Sequence, residues 1–563
     1  MPRATRRHLR SVLDLLLLPQ LAGAIWPRPA FHHHGTDFLR LAPNFDIISD
    51  VVGLHPDDLN EVVDRALLLM RSDEHQVLLP GRATAERDRV ADGCVLEALR
   101  FNVTGTLSSI ASETNKPHDR IDESYTLKVD AAGAQLIANT SLGILRGLQT
   151  FVQLIYALPE VEGPPTAYLR EVPHDIRDRP AFPHRAFMLD TSRNFYPLPT
   201  LLKILDTMSS VKMNVFHWHV VDAQSWPLQS SAFPDLARYG AYSAAEMYSL
   251  HDVQQVVKYA GERGISVLLE LDVPGHTASV AQAYPEYITC RDARPWSAYA
   301  AEPLAGQVKL GHPDALLFTK RLLHEAAVLT ACPLLSTGGD EVNERCYLED
   351  PDTAAAMLSR NVTLDQLLGE FVNGIHNVIR RQGKIPVVWE EMVLKHDLQL
   401  GHDVVVTVWI SSANVRAVAE KGHRMIHAAT DYLYLDCGAG AWLGNTPEGR
   451  SWCDPFKSWQ KVYSFDPYRN LRKSQRHLVL GGEALLWSEQ AGPENVEALA
   501  WPRAAAAAEV FWTGGAVTDG ERSVEEALPR LHDWRYRAVQ RGVRAAPLQP
   551  YWCALRPGAC DAE

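Results

Sequence analysis

The sequence predicts an α/β fold: a (β/α)₈ TIM barrel behind a smaller α+β domain. Two observations predict the barrel. Short apolar runs alternate with helical segments eight times over nearly 390 residues, the pattern of parallel strands joined by helical crossovers. Chemically reactive side chains follow one run after another, as they do where barrel strands end at a common mouth. A third observation divides the chain: Pro159, Gly163-Pro164-Pro165, Pro173 and Pro180 form a breaker-rich stretch, which puts the boundary near 175.

The elements follow in order. Residues 1–24 read as a secretory signal peptide. Arg3, Arg6, Arg7 and Arg10 make a basic start, 11–24 is short and apolar, and Ala22-Gly23-Ala24 offers small residues for cleavage. A buried N-terminal helix is the alternative. Residues 25–175 carry mixed signals: 58–70 is helix-like, 123–129 alternates as a strand does, and 141–157 has apolar residues at helical spacing. Residues 176–563 hold the barrel and a C-terminal extension. Its strands are expected at 185–189, 213–217, 266–270, 334–338, 387–389, 404–409, 425–427 and 478–480. Its helices are expected at 201–211, 251–262, 314–331, 364–382 and 413–421. A doubly wound open sheet is the competing architecture, but the chain has neither GxGxxG nor GxxxxGK[ST].

Composition narrows the function. A formal charge of −13 argues against nucleic acid or an anionic membrane as partner. No run is long enough to span a bilayer. Three sequons, at Asn102, Asn139 and Asn361, fit an exported chain, as do eight cysteines without CxxC spacing. Cys437/Cys453 and Cys553/Cys560 are the simplest pairs. Cys290 and Cys346 flank the fourth strand and would tie neighbouring loops, leaving Cys94 and Cys332 free, although spacing does not determine connectivity. Three consecutive histidines, His32–His34, sit in a Pro-rich entry stretch and read as incidental.

The expected strand ends carry Asp190, then His217-Trp218-His219 with Asp222 and Trp226. Glu270, Asp272 and His276 follow, then Asp340-Glu341, Trp389-Glu390-Glu391 and Trp409. Tyr434 and Asp436 come next, and Trp487 with Glu489 last. Carboxylates and Arg bond vicinal hydroxyls, and Trp covers the apolar face of a pyranose, so the set suits a sugar. Two other readings remain. His217 and His219 with Asp222 and Asp340 offer ligands to a metal-dependent hydrolase, and the barrel would also serve a non-catalytic glycan-binding protein.

Five ordered motifs, from His217-Trp-His-Val-Val-Asp222-Ala-Gln-Ser-Trp226 through Glu270-Leu-Asp-Val-Pro-Gly-His276, Gly338-Gly-Asp-Glu341 and Tyr434-Leu-Asp436 to Trp487-Ser-Glu489, resemble the family-20 glycoside hydrolases, the β-N-acetylhexosaminidases. Trp26-Pro-Arg-Pro and the 453–459 run look most like the fungal secreted branch. The resemblance implies release of terminal, non-reducing N-acetylglucosamine or N-acetylgalactosamine from chitin oligomers or glycans. The implied route is retaining and substrate-assisted, through an oxazolinium intermediate and without cofactor or metal.

On this reading Glu341 is the general acid and base, Asp340 orients and stabilises the 2-acetamido group, and Tyr434 holds its carbonyl. Trp389, Trp409 and Trp487 wall the sugar, with Trp459 as a fourth. Arg185, Asp436 and Glu489 hold ring hydroxyls. Asp222, Asp272 and His276 tune Glu341 from behind. A homodimer is the implied assembly, and the secreted or vacuolar/lysosomal space the implied location. Ser336 stands where many members have His, and Ala223 where many have Asp, so the resemblance does not set the pH optimum.

Overall fold

In the computed structural model the described residues are 24–51, 53–160, 164–444, 447, 449, 451–515, 520 and 522–561. The expected signal peptide therefore lies outside them, apart from Ala24. Six strands build the first domain: β1 (Phe31–Ser49), β2 (Cys94–Val103), β3 (Tyr125–Asp130), β4 (Gly133–Ala138), β5 (Ile155–Leu158) and β6 (Thr166–Asp178). They lie in the order β1-β2-β4-β3-β6-β5, with β1 also pairing β6. Because β6 runs to Asp178, this sheet extends past the boundary expected at 175.

Helix Ser141–Gln153 connects the two domains. Thr140 caps it by accepting the Gly143 N–H, which satisfies a donor that has no partner within the helix. Leu142, Ile144, Leu145, Leu148 and Phe151 are buried in the core of the first domain. Arg146 crosses to the second domain and donates to the Gly264 carbonyl at 2.8 Å.

Eight parallel strands close the barrel: β7 (His184–Asp190), β8 (Val215–Val221), β9 (Ser266–Leu271), β12 (Leu334–Ser336), β13 (Ile385–Trp389), β14 (Val405–Val408), β15 (Arg424–His427) and β17 (Val479–Leu486). Strand β15 pairs β17, and β17 pairs β7. Two short strands, β10 (Ile288–Thr289) and β11 (Gln307–Val308), pair in the long loop after β9, and β16 (Tyr434–Asp436) lies against the far end of β17. Helices cover the outside, so nearly every strand residue is buried. That burial on both faces explains why the strands read as apolar runs without alternation.

Strand β8 reaches Val221, four residues beyond its expected end. His219 therefore lies within the strand with His217, two residues along on the same face, and not in a loop after it. The C-terminal helix Val524–Gln540 returns to the first domain, where Asp533 meets His75 at 2.9 Å and Arg537 donates to the Gln153 and Ile155 carbonyls. Cys290–Cys346, Cys437–Cys453 and Cys553–Cys560 are bonded, and Cys94 and Cys332 are free. Among the described residues no helix is long and apolar enough to cross a membrane.

Candidate active site

The acid pair hangs on a turn that only glycine permits. Gly338 has φ 57° and Gly339 φ 99°, in the left-handed region that L side chains rarely adopt. A Cβ on Gly338 would sit 2.1 Å from Asp272 Oδ1, and one on Gly339 would meet Met392. The Gly339 N–H instead donates to Asp272 at 2.7 Å, and the Trp389 N–H to the Gly338 carbonyl. Glu341 itself has φ 51°. The turn divides the two acids: Asp340 is 8% exposed and Glu341 29%.

Behind Glu341 runs an alternating chain of carboxylates and imidazoles. Glu341 Oε2 lies 3.4 Å from His276 Nε2. His276 Nδ1 lies 3.1 Å from Asp222 Oδ1, and Asp222 Oδ2 lies 2.8 Å from His219 Nε2. His219 Nδ1 is 2.6 Å from Glu270 Oε1, Glu270 Oε2 is 3.2 Å from His217 Nε2, and His217 Nδ1 is 3.0 Å from Glu483 Oε2. The Ser336 hydroxyl also donates to Glu270. These groups come from β8, β9, β12, β17 and the mouth loops, and they fill a lumen where a barrel ordinarily stacks aliphatic side chains.

Burial pushes the His217 ring toward neutrality, but Glu483 and Glu270 overcome it and raise its pKa to about 10. His219 is raised to about 9 against the same burial by Asp222 and Glu270. His276 is held well above its ordinary value by Asp222 and Asp340, again against burial. Arg193 and His276 outweigh burial at Asp222 and keep its carboxyl well below the usual range.

At the acid pair the balance reverses. Burial and the neighbouring Asp272 carboxyl hold Asp340 well above the usual carboxylate range. Asp272 is raised to about 7, mainly by burial. Burial and Asp340 bring Glu391 to about 8, where it accepts the Trp409 indole N–H at 2.7 Å.

Four aromatics meet over the pair. The Trp409 and Tyr434 rings stack at 6.1 Å, and Trp487 lies 6.2 Å from Trp389 and 6.4 Å from Tyr434. Burial, Asp340 and Glu391 keep the Tyr434 phenol well above its ordinary pKa, so it remains an O–H donor. Asp436 accepts the Gly438 N–H at the rim, and Glu489 is raised to about 8 by burial despite Arg193.

Two expected residues are elsewhere. Arg185 lies at the start of β7, at the barrel's opposite end, beside Gly482 of β17. Its guanidinium is fully buried and donates to Glu123 at 2.7 and 2.8 Å and to the Lys212 and Phe182 carbonyls, so no sugar at the mouth reaches it. Trp459 opens helix Trp459–Tyr463 with its ring 6.1 Å from Tyr463, whose ring also lies 6.0 Å from Trp26. It does not join the wall around the pair.

Three residues that the sequence reading passed over take part. Arg193, three residues after Asp190, meets Asp222 at 2.9 Å and Asp190 at 3.3 Å, pairs Glu302, and lies over the Trp487 ring at 5.0 Å. Its position directly after a strand end was the available signal. Trp452, 60% exposed, packs edge-on against Trp409 and Tyr434. Glu302 arrives on the β9–β12 loop, for which no local pattern exists.

Comparison with known proteins agrees with this geometry. Residues 182–515 match "Glycosyl hydrolase family 20, catalytic domain", and residues 25–154 match "beta-acetyl hexosaminidase like". A beta-hexosaminidase of Arthroderma benhamiae is 36% identical over 460 residues, covering 78% of this chain and 74% of that protein. A chitooligosaccharidolytic beta-N-acetylglucosaminidase of Bombyx mori is 32% identical over 562 residues, covering 96% and 89%. The fold matches the crystal structure of the GH20 exo beta-N-acetylglucosaminidase of Vibrio harveyi with TM-score 0.74 at 22% identity, over 94% of this chain and 79% of that one. It matches the Streptomyces plicatus N-acetyl-beta-hexosaminidase with TM-score 0.71 at 22% identity, over 94% and 97%. The family match spans more than half the chain and includes both the barrel and the acid pair: the protein is a glycoside hydrolase and belongs to glycosyl hydrolase family 20.

Proposed function

We propose that this enzyme removes terminal, non-reducing β-linked N-acetylglucosamine or N-acetylgalactosamine from chitin oligomers or glycans, with retention and with the substrate's acetamido oxygen as nucleophile. The observation that carries the reading is the division of labour within one adjacent pair. A two-carboxylate retaining mechanism sets its acids about 5–5.5 Å apart across the scissile bond. Asp340 and Glu341 leave one turn side by side, the first sunk among Trp409, Tyr434 and Trp487, the second turned outward against His276.

Glu341 donates a proton to the glycosidic oxygen as the C1–O bond breaks. Charged His276, 3.4 Å away, steadies the carboxylate that forms. Asp340 accepts the acetamido N–H and turns the carbonyl oxygen onto C1, while the Tyr434 hydroxyl donates to that oxygen. As positive charge grows on the oxazolinium ring, the adjacent Asp340 carboxylate stabilises it. Burial and Asp272 disfavour that negative charge in the free site, so it gains most in the transition state. Water then adds at C1, and Glu341 takes its proton.

Trp389 and Trp487 enclose the ring, and Trp452 offers a flat face to the departing sugar. Arg193, Asp436 and Glu489 hold the hydroxyls. The disulfides and sequons support passage through the secretory pathway, to the outside or to a vacuolar or lysosomal space.

The test is Glu341→Gln on an aryl N-acetyl-β-glucosaminide. A loss of about 10²–10⁴-fold in kcat with the fold retained is expected. In the parent enzyme a thiazoline mimic of the oxazolinium ring should compete with substrate. Full activity in the variant, or indifference to the thiazoline, overturns the reading.

A further inference from the structure

Beside the acid pair, Asp272 Oδ2 and Asp340 Oδ1 are buried without a hydrogen-bond partner among the described residues, and His276 Nε2 faces Glu341 Oε2 at 3.4 Å. Asp272 is fully buried and the Asp340 side chain is 8% exposed. One ligand atom from each of the three residues lies within 4.8 Å of the other two, and His276 Nε2 is 3.9 Å from Asp340 Oδ1. Donors around a tetrahedral zinc, bonded at ~2.0–2.1 Å, stand about 3.3–3.5 Å apart, so small side-chain movements close this set onto an ion.

His276 is oriented as metal-binding histidines are. Its Nδ1 faces Asp222 at 3.1 Å, which secures that nitrogen and turns Nε2 toward the carboxylates. A second buried grouping among the described residues, His219 with Glu270 and Asp272, differs. Both His219 nitrogens are committed to carboxylates, at 2.6 and 2.8 Å, and neither has a lone pair to give.

We propose that Asp272, His276 and Asp340 bind a divalent first-row transition cation, and that the bound ion inhibits the enzyme. Two carboxylates and one imidazole suit zinc and its neighbours. Magnesium and calcium prefer more ligands, all of them oxygen. The donors coordinate in their deprotonated forms, so protons resident on them pass to solvent on binding. The ion occupies the place where Asp340 would orient the acetamido group, which makes inhibition competitive.

Zinc chloride is the probe, added to chelator-stripped full-length protein in equilibrium dialysis and in turnover of an aryl N-acetyl-β-glucosaminide. One zinc displaced by the thiazoline, a rise in apparent KM at constant kcat, and no inhibition by magnesium are expected. Asp272→Asn should weaken zinc binding at least ~10-fold. His276→Gln provides the same comparison if the first variant misfolds, with circular dichroism checking both. Replacing His32–His34, a separate histidine cluster in the first domain, should leave inhibition unchanged. Equal binding by the parent and the Asp272 and His276 variants, or non-competitive inhibition, overturns the proposal. The inhibition arm rests on the glycosidase reading and the dialysis arm does not: a protein without turnover that loses zinc on Asp272→Asn refutes the former and supports the latter.

Discussion

The two ends of this barrel both bury charge, and they treat it in opposite ways. At the base every strong charge is matched. Glu123 of the first domain receives Arg146 and Arg185, Lys212 pairs Asp178 at 2.9 Å, and Arg185 also lies over Trp512. At the mouth, acids crowd acids. Among the described residues Asp340 and Glu489 each keep an oxygen without a partner, and burial raises their carboxyls above the usual range. A matched network holds two domains together, whereas unmatched acids are poised to accept a substrate's donors and developing charge. Buried charge at a strand end thus distinguishes structure from catalysis only once its partners are known.

The largest effect separating the ends should come from Arg185→Met, which leaves Glu123 with a single guanidinium. Stability should fall by ~3–5 kcal/mol in urea unfolding, while kcat/KM of the folded fraction stays within about twofold. A large loss of activity at unchanged stability would return Arg185 to the substrate site. Arg193→Met should do the converse at the mouth. Lost charged hydrogen bonds to substrate predict a fall of about 10- to 150-fold in kcat/KM, with the unfolding midpoint moving less than for the base variant.

A pH series sharpens the contrast. Burial pushes the Glu123 carboxyl up, but Arg185 and Arg146 hold it below its ordinary value. Its contribution is therefore present above the ordinary carboxylate range and lost as pH falls through its folded value. His217 and His219 are raised to about 10 and about 9, so the lumen's contribution is complete below pH ~6.5 and lost as pH rises through 9–10. Urea midpoints from pH 3 to 10.5 should decline at both ends, and Arg185→Met should flatten only the acid limb. A variant that steepens the alkaline limb instead would contradict the assignment. The smallest effect is expected at the rim. Trp452→Ala should raise KM for a chitin dimer by about 1 kcal/mol, roughly fivefold, with kcat on an activated aryl glycoside nearly unchanged.

Much of this is legible in the sequence. The barrel strands were readable because burial on both faces writes them as short apolar runs. The acid pair, Trp389 and Trp409 end or closely follow such runs, whereas Tyr434 and Trp487 stand seven residues beyond the runs expected at 425–427 and 478–480 and reach the mouth because β16 and a longer β17 carry them there. Arg185 was misplaced because a charged residue beside an apolar run looks alike at either end, and only its position at the run's first residue marks the base. His219 fell outside the strand expected at 213–217 because imidazoles interrupt hydrophobicity, although β8 continues through it. Trp459 and Trp452 are seven positions apart, and only the fold of the segment around Cys437–Cys453 decides which of them faces the site. Glu302 is brought in by a long loop, and no local periodicity records such a placement.

Two of the three bridges secure segments at the rim. Cys290–Cys346 joins the loop that delivers Glu302 to the helix that follows Glu341, and Cys437–Cys453 closes the segment that presents Trp452. The practical consequence concerns how the enzyme is made. A preparation from a reducing cytosol will contain the barrel, whose closure needs no cysteine, but its rim will be loosely held. Low specific activity from such a host should be traced to the oxidation state of these two pairs before it is attributed to the catalytic residues.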